Sequence, residues 1–154
     1  MRGWNERHSY LHNEAVPVFD ETYAIAVMDG DCALCTFGAR LIHRFDKSGN
    51  IKICPVQSRL GRALLVHYQV DPADPESWIF LKEGIAWMSF DAWIKAGEAV
   101  GGIGNLMRAF WIIPRPVRDW IYRRVARNRI AVFGKADMCS IPSPSFRARL
   151  IGDE

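Results

Sequence analysis

The sequence predicts an α/β domain in which helices flank a central mixed sheet. Short apolar runs of strand length alternate with segments of helical periodicity, and a strand, a helix and a second strand come before a hairpin. The chain has 154 residues, the usual length of one domain. Its 49% of hydrophobic and 24% of charged residues indicate a folded core and exclude a disordered chain.

The first half of the predicted domain alternates strands and helices. An apolar run at 23–28 is predicted to be a buried strand, because a turn of Asp and Gly at 29–31 ends it. Apolar residues then recur at helical spacing over 37–45. A second strand is predicted at 51–56, and Ser58 has a suitable side chain for the N-cap of the helix that follows.

The second half of the predicted domain adds a hairpin and further helices. Two apolar runs within 78–88 flank a tight turn, which predicts an antiparallel hairpin. Ser89 is predicted to cap the next helix, and glycines at 101–104 end it. Two more helices are predicted beyond them, an apolar one at 106–113 and a long one that starts at Pro114.

This order of elements is typical of a thioredoxin-like fold, here with extra C-terminal helices. We divide the chain into an N-terminal extension at 1–22, a thioredoxin-like domain at 23–141 that includes an arginine-rich helix, and a C-terminal tail at 142–154. No apolar run approaches the roughly 20 residues that a membrane-spanning helix needs, and the first residues lack the apolar stretch of a secretory signal. We therefore expect a cytoplasmic protein.

The 4 cysteines are too few to hold the fold together as a disulfide scaffold. Cys32 and Cys35 form a Cys-x-x-Cys motif, which in a cytosolic chain near a strand–helix–strand pattern indicates a thioredoxin-like redox site. The pair lies where the first strand meets the first helix, and a helix N-terminus stabilises a thiolate. We predict that Cys32, nearer the loop, attacks a substrate disulfide and that the more buried Cys35 resolves the mixed disulfide.

Two alternative roles for these thiols stay open. They are either inert packed thiols or half of a zinc site, although zinc usually takes two close pairs of ligands and Cys54 and Cys139 stand alone. Cys54 lies in a strand-like run and is most simply a core residue. Cys139 is either structural or a third redox thiol. The histidines have no paired spacing, so we predict neither a metal nor a cofactor.

Asp29 and Asp31 support a different interpretation of the same loop. Haloacid-dehalogenase-like phosphatases place an Asp-x-Asp pair after an apolar strand, the first as nucleophile and the second as general acid and base. That chemistry also needs acidic residues for Mg²⁺ on a later strand, and no apolar strand here ends in paired acids. The phosphatase interpretation is therefore the weaker one.

The string at 29–35, Asp-Gly-Asp-Cys-Ala-Leu-Cys after an apolar strand, resembles the signature of the DCC family of thiol-disulfide oxidoreductases, which is named for Asp-x-x-Cys-x-x-Cys. Further features resemble that family in the same order. They are Gln57 with the serine after it, the hairpin, and the segment 128–134 ahead of Cys139. The resemblance covers residues 23–141.

This resemblance implies a thioredoxin-like fold and a dithiol activity, with Asp29, Cys32 and Cys35 as the matching site residues. The chain departs from many relatives at Met28, where they have an aromatic residue, and at Ala33, where they have a proline. Neither departure removes a reacting group.

Three expectations concern the surroundings of the dithiol. Pro75, before the third strand, is the nearest candidate for the cis-proline of a thioredoxin. Asp29 and Asp31 flank Cys32, and their negative charges should disfavour its thiolate. A partly buried Asp29 would instead pass a proton to or from Cys35.

Basic residues are concentrated towards the C-terminal end. Residues 1–100 have 10 Lys and Arg against 13 Asp and Glu, whereas 101–154 have 10 against 4. On a helical wheel the segment 115–129 places most arginines opposite an apolar side, with Arg124 inside the apolar arc. This predicts a surface helix whose apolar side packs on the domain and whose Arg124 must reach solvent or an acid. The apolar side consists of Val117, Trp120, Ile121 and Val125.

The same basic helix suggests a second function. It would dock on an acidic partner or a membrane surface, with Trp111, Trp120 and Tyr122 as interfacial anchors. No nucleic-acid-binding signature accompanies the arginines, so we expect no nucleic-acid partner. Our first hypothesis is a thiol-disulfide oxidoreductase that acts on protein or small-molecule disulfides. The alternative is a non-catalytic adaptor of the same fold that uses the basic helix.

Overall fold

The computed structural model describes residues 6–73, 78–141 and 143–152, apart from the side chain of Cys139. Over these residues the chain forms a mixed sheet of four strands in the order β2-β1-β3-β4, flanked by helices. The α/β, thioredoxin-like prediction is confirmed. The strands are β1 (Ala24–Met28), β2 (Ile51–Pro55), β3 (Ile79–Lys82) and β4 (Ile85–Met88).

Five α-helices and three 3₁₀ helices surround this sheet in the described part of the chain. The α-helices are α1 (Ala33–Phe45), α2 (Arg59–His67), α3 (Ser89–Val100), α4 (Arg115–Phe133) and α5 (Pro144–Arg147). The 3₁₀ helices are Ser9–His12, Gly102–Ile112 and Met138–Ser140. Ser58 caps α2 as predicted, because its side chain accepts a hydrogen bond from the backbone N–H of Gly61.

Strand β1 lies at the centre of the sheet and positions the dithiol. It pairs in parallel with β2, with Met28 opposite Pro55, and antiparallel with β3, with Ala26 opposite Phe80. All of its residues are buried, as a continuous apolar run predicts. Because β1 and β2 are parallel, their carboxyl ends meet at one edge of the sheet. The loops that follow both strands therefore lie side by side.

The sheet has a hydrophobic core on each face. Alternate residues of β1 point to opposite faces, so Ala26 and Met28 join one core while Val27 joins the other. The first core also contains both cysteines of the Cys-x-x-Cys motif. The second contains Cys54, which is fully buried. The prediction that Cys54 is a core residue is confirmed, and it lies on the face of the sheet opposite the motif.

Described segments near both ends of the chain, within 6–22 and 143–152, pack against the domain. In the N-terminal extension, Tyr10 is buried in the second core, and its ring packs at a tilt against the ring of Phe19. Near the C-terminus, Ile53 of β2 makes backbone hydrogen bonds with Arg149 and Ile151, so this segment lies along the outer edge of the sheet. The described parts of the extension and the tail thus cover surfaces that the sheet and its helices alone would leave exposed.

Two local details around α3 differ from the predictions. Met88, and not Ser89, occupies the N-cap position of α3, and Ser89 is its first helical residue. The apolar helix predicted at 106–113 is a 3₁₀ helix that begins earlier, at Gly102. Pro75, the candidate cis-proline, lies outside the described residues. Over the described part of the chain, no helix is long and apolar enough to cross a membrane.

Helix α4 faces the domain with a different side from the one predicted. Its buried residues are Arg118 and Arg129, whereas Val117, Trp120 and Val125 are between 42% and 59% exposed. The helical wheel assumed that the inward side must be apolar, and that assumption was wrong for this helix. Arg124, assigned to the packed apolar arc, is exposed.

The reason is that α4 packs against carboxylates. Arg118 lies 3.0 Å from a carboxylate oxygen of Asp91 on α3, and Arg129 lies 3.2 Å from one of Asp29. A guanidinium can be buried when a carboxylate neutralises it. Arg118 and Arg129 therefore point inward, whereas Val117, Trp120 and Val125 face solvent.

Candidate active site

The two cysteines of the motif lie at the start of α1, as predicted. Cys32 is the N-cap residue, with an extended backbone (φ −95°, ψ 125°), and Cys35 lies in the first turn. Both are free thiols. The prediction that Cys32 is the more accessible of the two is wrong, because Cys32 is 0% exposed and Cys35 is 7% exposed. Neither sulfur is open to a large substrate in this conformation.

A segment after α4 covers Cys32. We call residues 134–138 the covering segment. It runs beside the loop that joins β1 to α1 and bonds to it through the backbone, with Lys135 opposite Cys32 as an isolated antiparallel bridge. Its backbone hydrogen bonds are Ala33 N–H to Gly134 O (3.2 Å), Ala136 N–H to Asp31 O (3.0 Å) and Met138 N–H to Gly30 O (2.8 Å).

The two thiols have opposite acidities. The pKa of Cys32 is lowered to about 6, mainly because the Cys35 thiol donates a hydrogen bond to it. Burial opposes this shift, while the backbone N–H groups of Cys35 and Leu34 and the charge of Arg129 add to it. The pKa of Cys35 is raised well above its ordinary value by the same hydrogen bond to Cys32, by burial and by the Cys32 charge. At neutral pH the first thiol is therefore a thiolate and the second keeps its proton.

Asp29 anchors a polar network beside the dithiol. One of its carboxylate oxygens lies 3.2 Å from the guanidinium of Arg129, and the other accepts a hydrogen bond from the Gln57 side chain at 2.8 Å. Gln57 also donates to the Asp31 carboxylate at 3.2 Å and accepts from the backbone N–H of Gly30 at 3.0 Å. The network joins the loop after β1, the loop after β2 and helix α4.

This network changes the expected electrostatics. The flanking Asp29 and Asp31 were expected to disfavour the Cys32 thiolate, yet the pKa of Cys32 is lowered to about 6, chiefly by the Cys35 hydrogen bond. Arg129 neutralises Asp29 and contributes a positive charge of its own. The charge of Asp29 is thus paired with a residue from the other end of the domain.

Gln57 and Arg129 are the site residues to which the sequence assigned no role. Gln57 lay within the family resemblance. Its position just after β2 could have indicated that it lies beside the loop after β1, because the carboxyl ends of parallel strands meet. Arg129 also lay within the resemblance, in the segment 128–134. The helical wheel predicted that Arg129 is exposed, because an amphipathic pattern assigns arginines to the solvent side.

Of the other two cysteines, Cys54 does not join the dithiol. Cys54 lies in the second core, where its sulfur is 3.3 Å from the Ser58 hydroxyl. Cys139 lies in the 3₁₀ helix Met138–Ser140, and its side chain is outside the described part of the structure. No group of three or more His, Cys, Asp or Glu side chains in the described ranges is arranged to hold a metal ion.

Comparison with known proteins points to one family. The family model described as DCC1-like thiol-disulfide oxidoreductase matches residues 26–135. The uncharacterized protein YuxK of Bacillus subtilis is 32% identical over 127 residues, which is 82% of this chain and 93% of YuxK. A DCC family protein of Arabidopsis thaliana, described as chloroplastic, is 29% identical over 119 residues, 76% of this chain and 69% of the relative. No solved structure matches the chain significantly. The matched region contains Asp29, Cys32, Cys35, Gln57 and Arg129, and the chain therefore belongs to the DCC1-like thiol-disulfide oxidoreductase family.

Proposed function

We propose that this protein catalyses thiol-disulfide exchange, with Cys32 as the attacking thiolate and Cys35 as the resolving thiol. The observation that carries the proposal is the hydrogen-bonded pair at the start of α1, in which the Cys32 pKa is lowered to about 6 and that of Cys35 is raised. A thiolate is the nucleophile in disulfide exchange. The pair thus provides a reactive thiolate on Cys32 for the first step and a protonated thiol on Cys35 for the second.

The proposed cycle is balanced in atoms and electrons. The Cys32 thiolate attacks one sulfur of a substrate disulfide, so that a Cys32–substrate disulfide forms and the other substrate sulfur leaves as a thiolate that takes a proton. Cys35 then loses its proton and attacks the Cys32 sulfur, which releases the second substrate thiolate. The substrate gains two electrons and the protein keeps a Cys32–Cys35 disulfide. An external thiol reductant returns the pair to the dithiol.

In this proposal Asp29 and Arg129 assist the two sulfurs. The Arg129 charge stabilises a thiolate on either cysteine. Asp29 orients Arg129 through their 3.2 Å contact. In the proposal it also accepts the Cys35 proton. The loop backbone at Asp29 also donates a hydrogen bond to Cys35. Asp29 is thus a positioning residue first and a proton acceptor second.

The covering segment determines access to this chemistry. Because Cys32 is 0% exposed, the proposal requires the backbone hydrogen bonds of residues 134–138 to open before a disulfide reaches the sulfur. The substrate is a protein disulfide or a small-molecule disulfide. A cytoplasmic location, where thiol reductants are abundant, is part of the same proposal.

A redox titration with trapping tests the function. The protein is equilibrated in glutathione buffers of graded ratio, its free thiols are alkylated, and the modified cysteines are identified by mass spectrometry. We expect one reversible two-electron transition assigned to Cys32 and Cys35, and a stable mixed disulfide on Cys32 in Cys35→Ser. Cys54→Ser is the matched control, because Cys54 lies in the other core.

The outcome that contradicts the proposal is equally specific. If Cys32 and Cys35 show no reversible transition, and Cys32→Ser reduces a model disulfide such as insulin as fast as the unmodified protein, the dithiol is not catalytic. The non-catalytic adaptor hypothesis would then take its place.

A further inference from the structure

The outward side of α4 has a cluster of arginines around one tryptophan. Trp120, Arg123, Arg124 and Arg127 follow the i, i+3, i+4, i+7 spacing that places residues on one side of a helix, and together they line a shallow groove. We call these four residues the Trp–Arg face. Trp120 is 59% exposed and the three arginines are exposed. The face points away from the side of α4 that holds Arg129 against the active site.

The arginines of this face differ from the other arginines of the same helix. Arg115, Arg118 and Arg129 each lie within 4.0 Å of a carboxylate. In the described ranges, Arg123, Arg124 and Arg127 have no carboxylate at ion-pair distance. Like charges three and four residues apart repel each other on a helix. The chain therefore keeps an unneutralised positive cluster that weakens its own helix, which is expected of a surface selected to bind an anionic partner.

Exposed apolar side chains precede these charges along the chain. Val117, one turn before Trp120, is 45% exposed, and Ile112, just ahead of α4, is 86% exposed. Arginine binds phosphate in a bidentate geometry, and tryptophan favours the level of lipid head groups. A protein surface made of acidic side chains alone would satisfy the arginines and leave these apolar side chains without an apolar partner. The boundary between head groups and acyl chains satisfies both.

We propose that the Trp–Arg face is a peripheral docking site for anionic phospholipid bilayers. The arginines contact lipid phosphates, while Trp120 and Val117 enter the head-group layer without crossing the membrane. The inner side of α4 continues to hold Arg129 against Asp29. The same helix would thus place the dithiol domain on a membrane surface, independently of whether the dithiol is catalytic.

Vesicle co-sedimentation of the full chain tests the docking site. Vesicles of phosphatidylcholine and phosphatidylglycerol in equal parts are compared with vesicles of phosphatidylcholine alone, at low and at raised salt. We expect binding to the anionic vesicles that weakens with salt. The triple variant Arg123→Gln, Arg124→Gln, Arg127→Gln should lose about fivefold in partitioning for each arginine, or about a hundredfold in all. The corresponding triple Lys variant, which keeps the charges, should retain most of the binding.

A matched control removes the same charge from α1. Arg40, Arg44 and Lys47 are also exposed, and their triple Gln variant has the same net charge as the α4 variant. It should bind anionic vesicles more tightly than the α4 variant by at least tenfold. Circular dichroism verifies that all variants keep their helices.

Three outcomes would overturn the proposal. The first is that the unmodified protein fails to bind anionic vesicles at low salt. The second is that the α1 and α4 variants lose binding equally, which would show that binding depends on net charge alone. The third is that polyglutamate binds the protein as tightly as the vesicles do and Trp120→Ala leaves vesicle binding unchanged, which would make an acidic protein the partner.

Discussion

The guanidinium of Arg129 lies 3.2 Å from the carboxylate of Asp29, although the two residues are 100 positions apart in the chain. Both side chains are largely buried, at 11% and 13% exposure. The contact fixes the last long helix against the loop that carries the dithiol. The site is thus completed by a residue that lies far outside the Cys-x-x-Cys motif.

Replacement of Arg129 by Gln should raise the pKa of Cys32 above its value of about 6, because a positive charge that stabilises the thiolate is lost. It should also lower the free energy of unfolding by about 3 kcal/mol, since Asp29 would keep a buried charge without its partner. The pH dependence of iodoacetamide alkylation at Cys32, followed by peptide mass spectrometry, measures the first effect. Urea unfolding measures the second.

Two variants make the Arg129 result specific. Arg129→Lys keeps the charge and should restore part of the shift in pKa. Arg124→Gln removes an exposed arginine from the same helix and should leave the Cys32 profile unchanged. An unaltered alkylation profile in Arg129→Gln would show that Arg129 has no part in the acidity of the thiol.

Gly134 should control access to Cys32. Its backbone (φ 80°, ψ −171°) lies in a region that only glycine enters easily, and it is the first residue of the covering segment, directly after α4. Gly134→Ala should raise the free energy of the conformation in which the segment covers Cys32 by about 1–3 kcal/mol. The segment should then open more often, and alkylation of Cys32 should be faster. The measurement is the alkylation rate at a pH well above 6, where Cys32 is already a thiolate.

Gly101 provides the matched control for this effect. It has nearly the same backbone (φ 74°, ψ −171°) at the end of α3, and an added Cβ would meet nothing within 4 Å at either glycine. Gly101→Ala should therefore destabilise the fold similarly and leave the alkylation rate of Cys32 unchanged. Equal acceleration in both variants would mean that general destabilisation, and not the covering segment, limits access.

The reduced protein should become more stable as pH rises from about 6 to about 9. In the folded chain Cys32 loses its proton near pH 6, while in the unfolded chain a cysteine keeps it until about pH 9. The unfolded state then binds more protons, and stability rises with pH. Urea unfolding under a reductant at graded pH measures this dependence. In Cys32→Ser the rise should be smaller, and an identical slope in both proteins would contradict the lowered pKa.

Arg149→Ala should lower the free energy of unfolding by about 3–5 kcal/mol, because it leaves the buried Asp46 carboxylate without its partner at 2.7 Å. Burial raises the pKa of Asp46, but hydrogen bonds from Ser48, Arg149 and the backbone of Ile51 outweigh it, so the net shift is downward. The stabilisation is present above the ordinary pKa of about 3.8 and is lost as pH falls through the lower folded value.

Urea unfolding at neutral and at acid pH measures both effects of Arg149. As the pH falls, the free energy of unfolding of Arg149→Ala should begin to decrease at a higher pH than that of the unmodified protein. Arg147→Ala is a suitable control, because Arg147 is exposed and donates to the backbone carbonyl of Ile141. Similar losses in the two variants would mean that the Asp46 contact contributes little.

The order of elements and the place of the dithiol could both be predicted from the sequence. Apolar runs bounded by turn residues identified β1 and the hairpin, and Ser58 identified the start of α2. These features depend on local periodicity and on backbone geometry, which neighbouring residues decide. The position of Cys32 at the start of α1 followed from the same local signals.

The residues that complete the site and the buried side of α4 depend instead on contacts between distant parts of the chain. The periodicity of α4 predicts an inward apolar side, yet Arg118 and Arg129 point inward because Asp91 and Asp29 lie opposite them on other parts of the fold. Nor does any local pattern show that residues 134–138 cover Cys32, since that contact is made of backbone hydrogen bonds. Periodicity reports whether a residue is apolar, whereas burial of a charge depends on a partner that is distant in sequence and close in space.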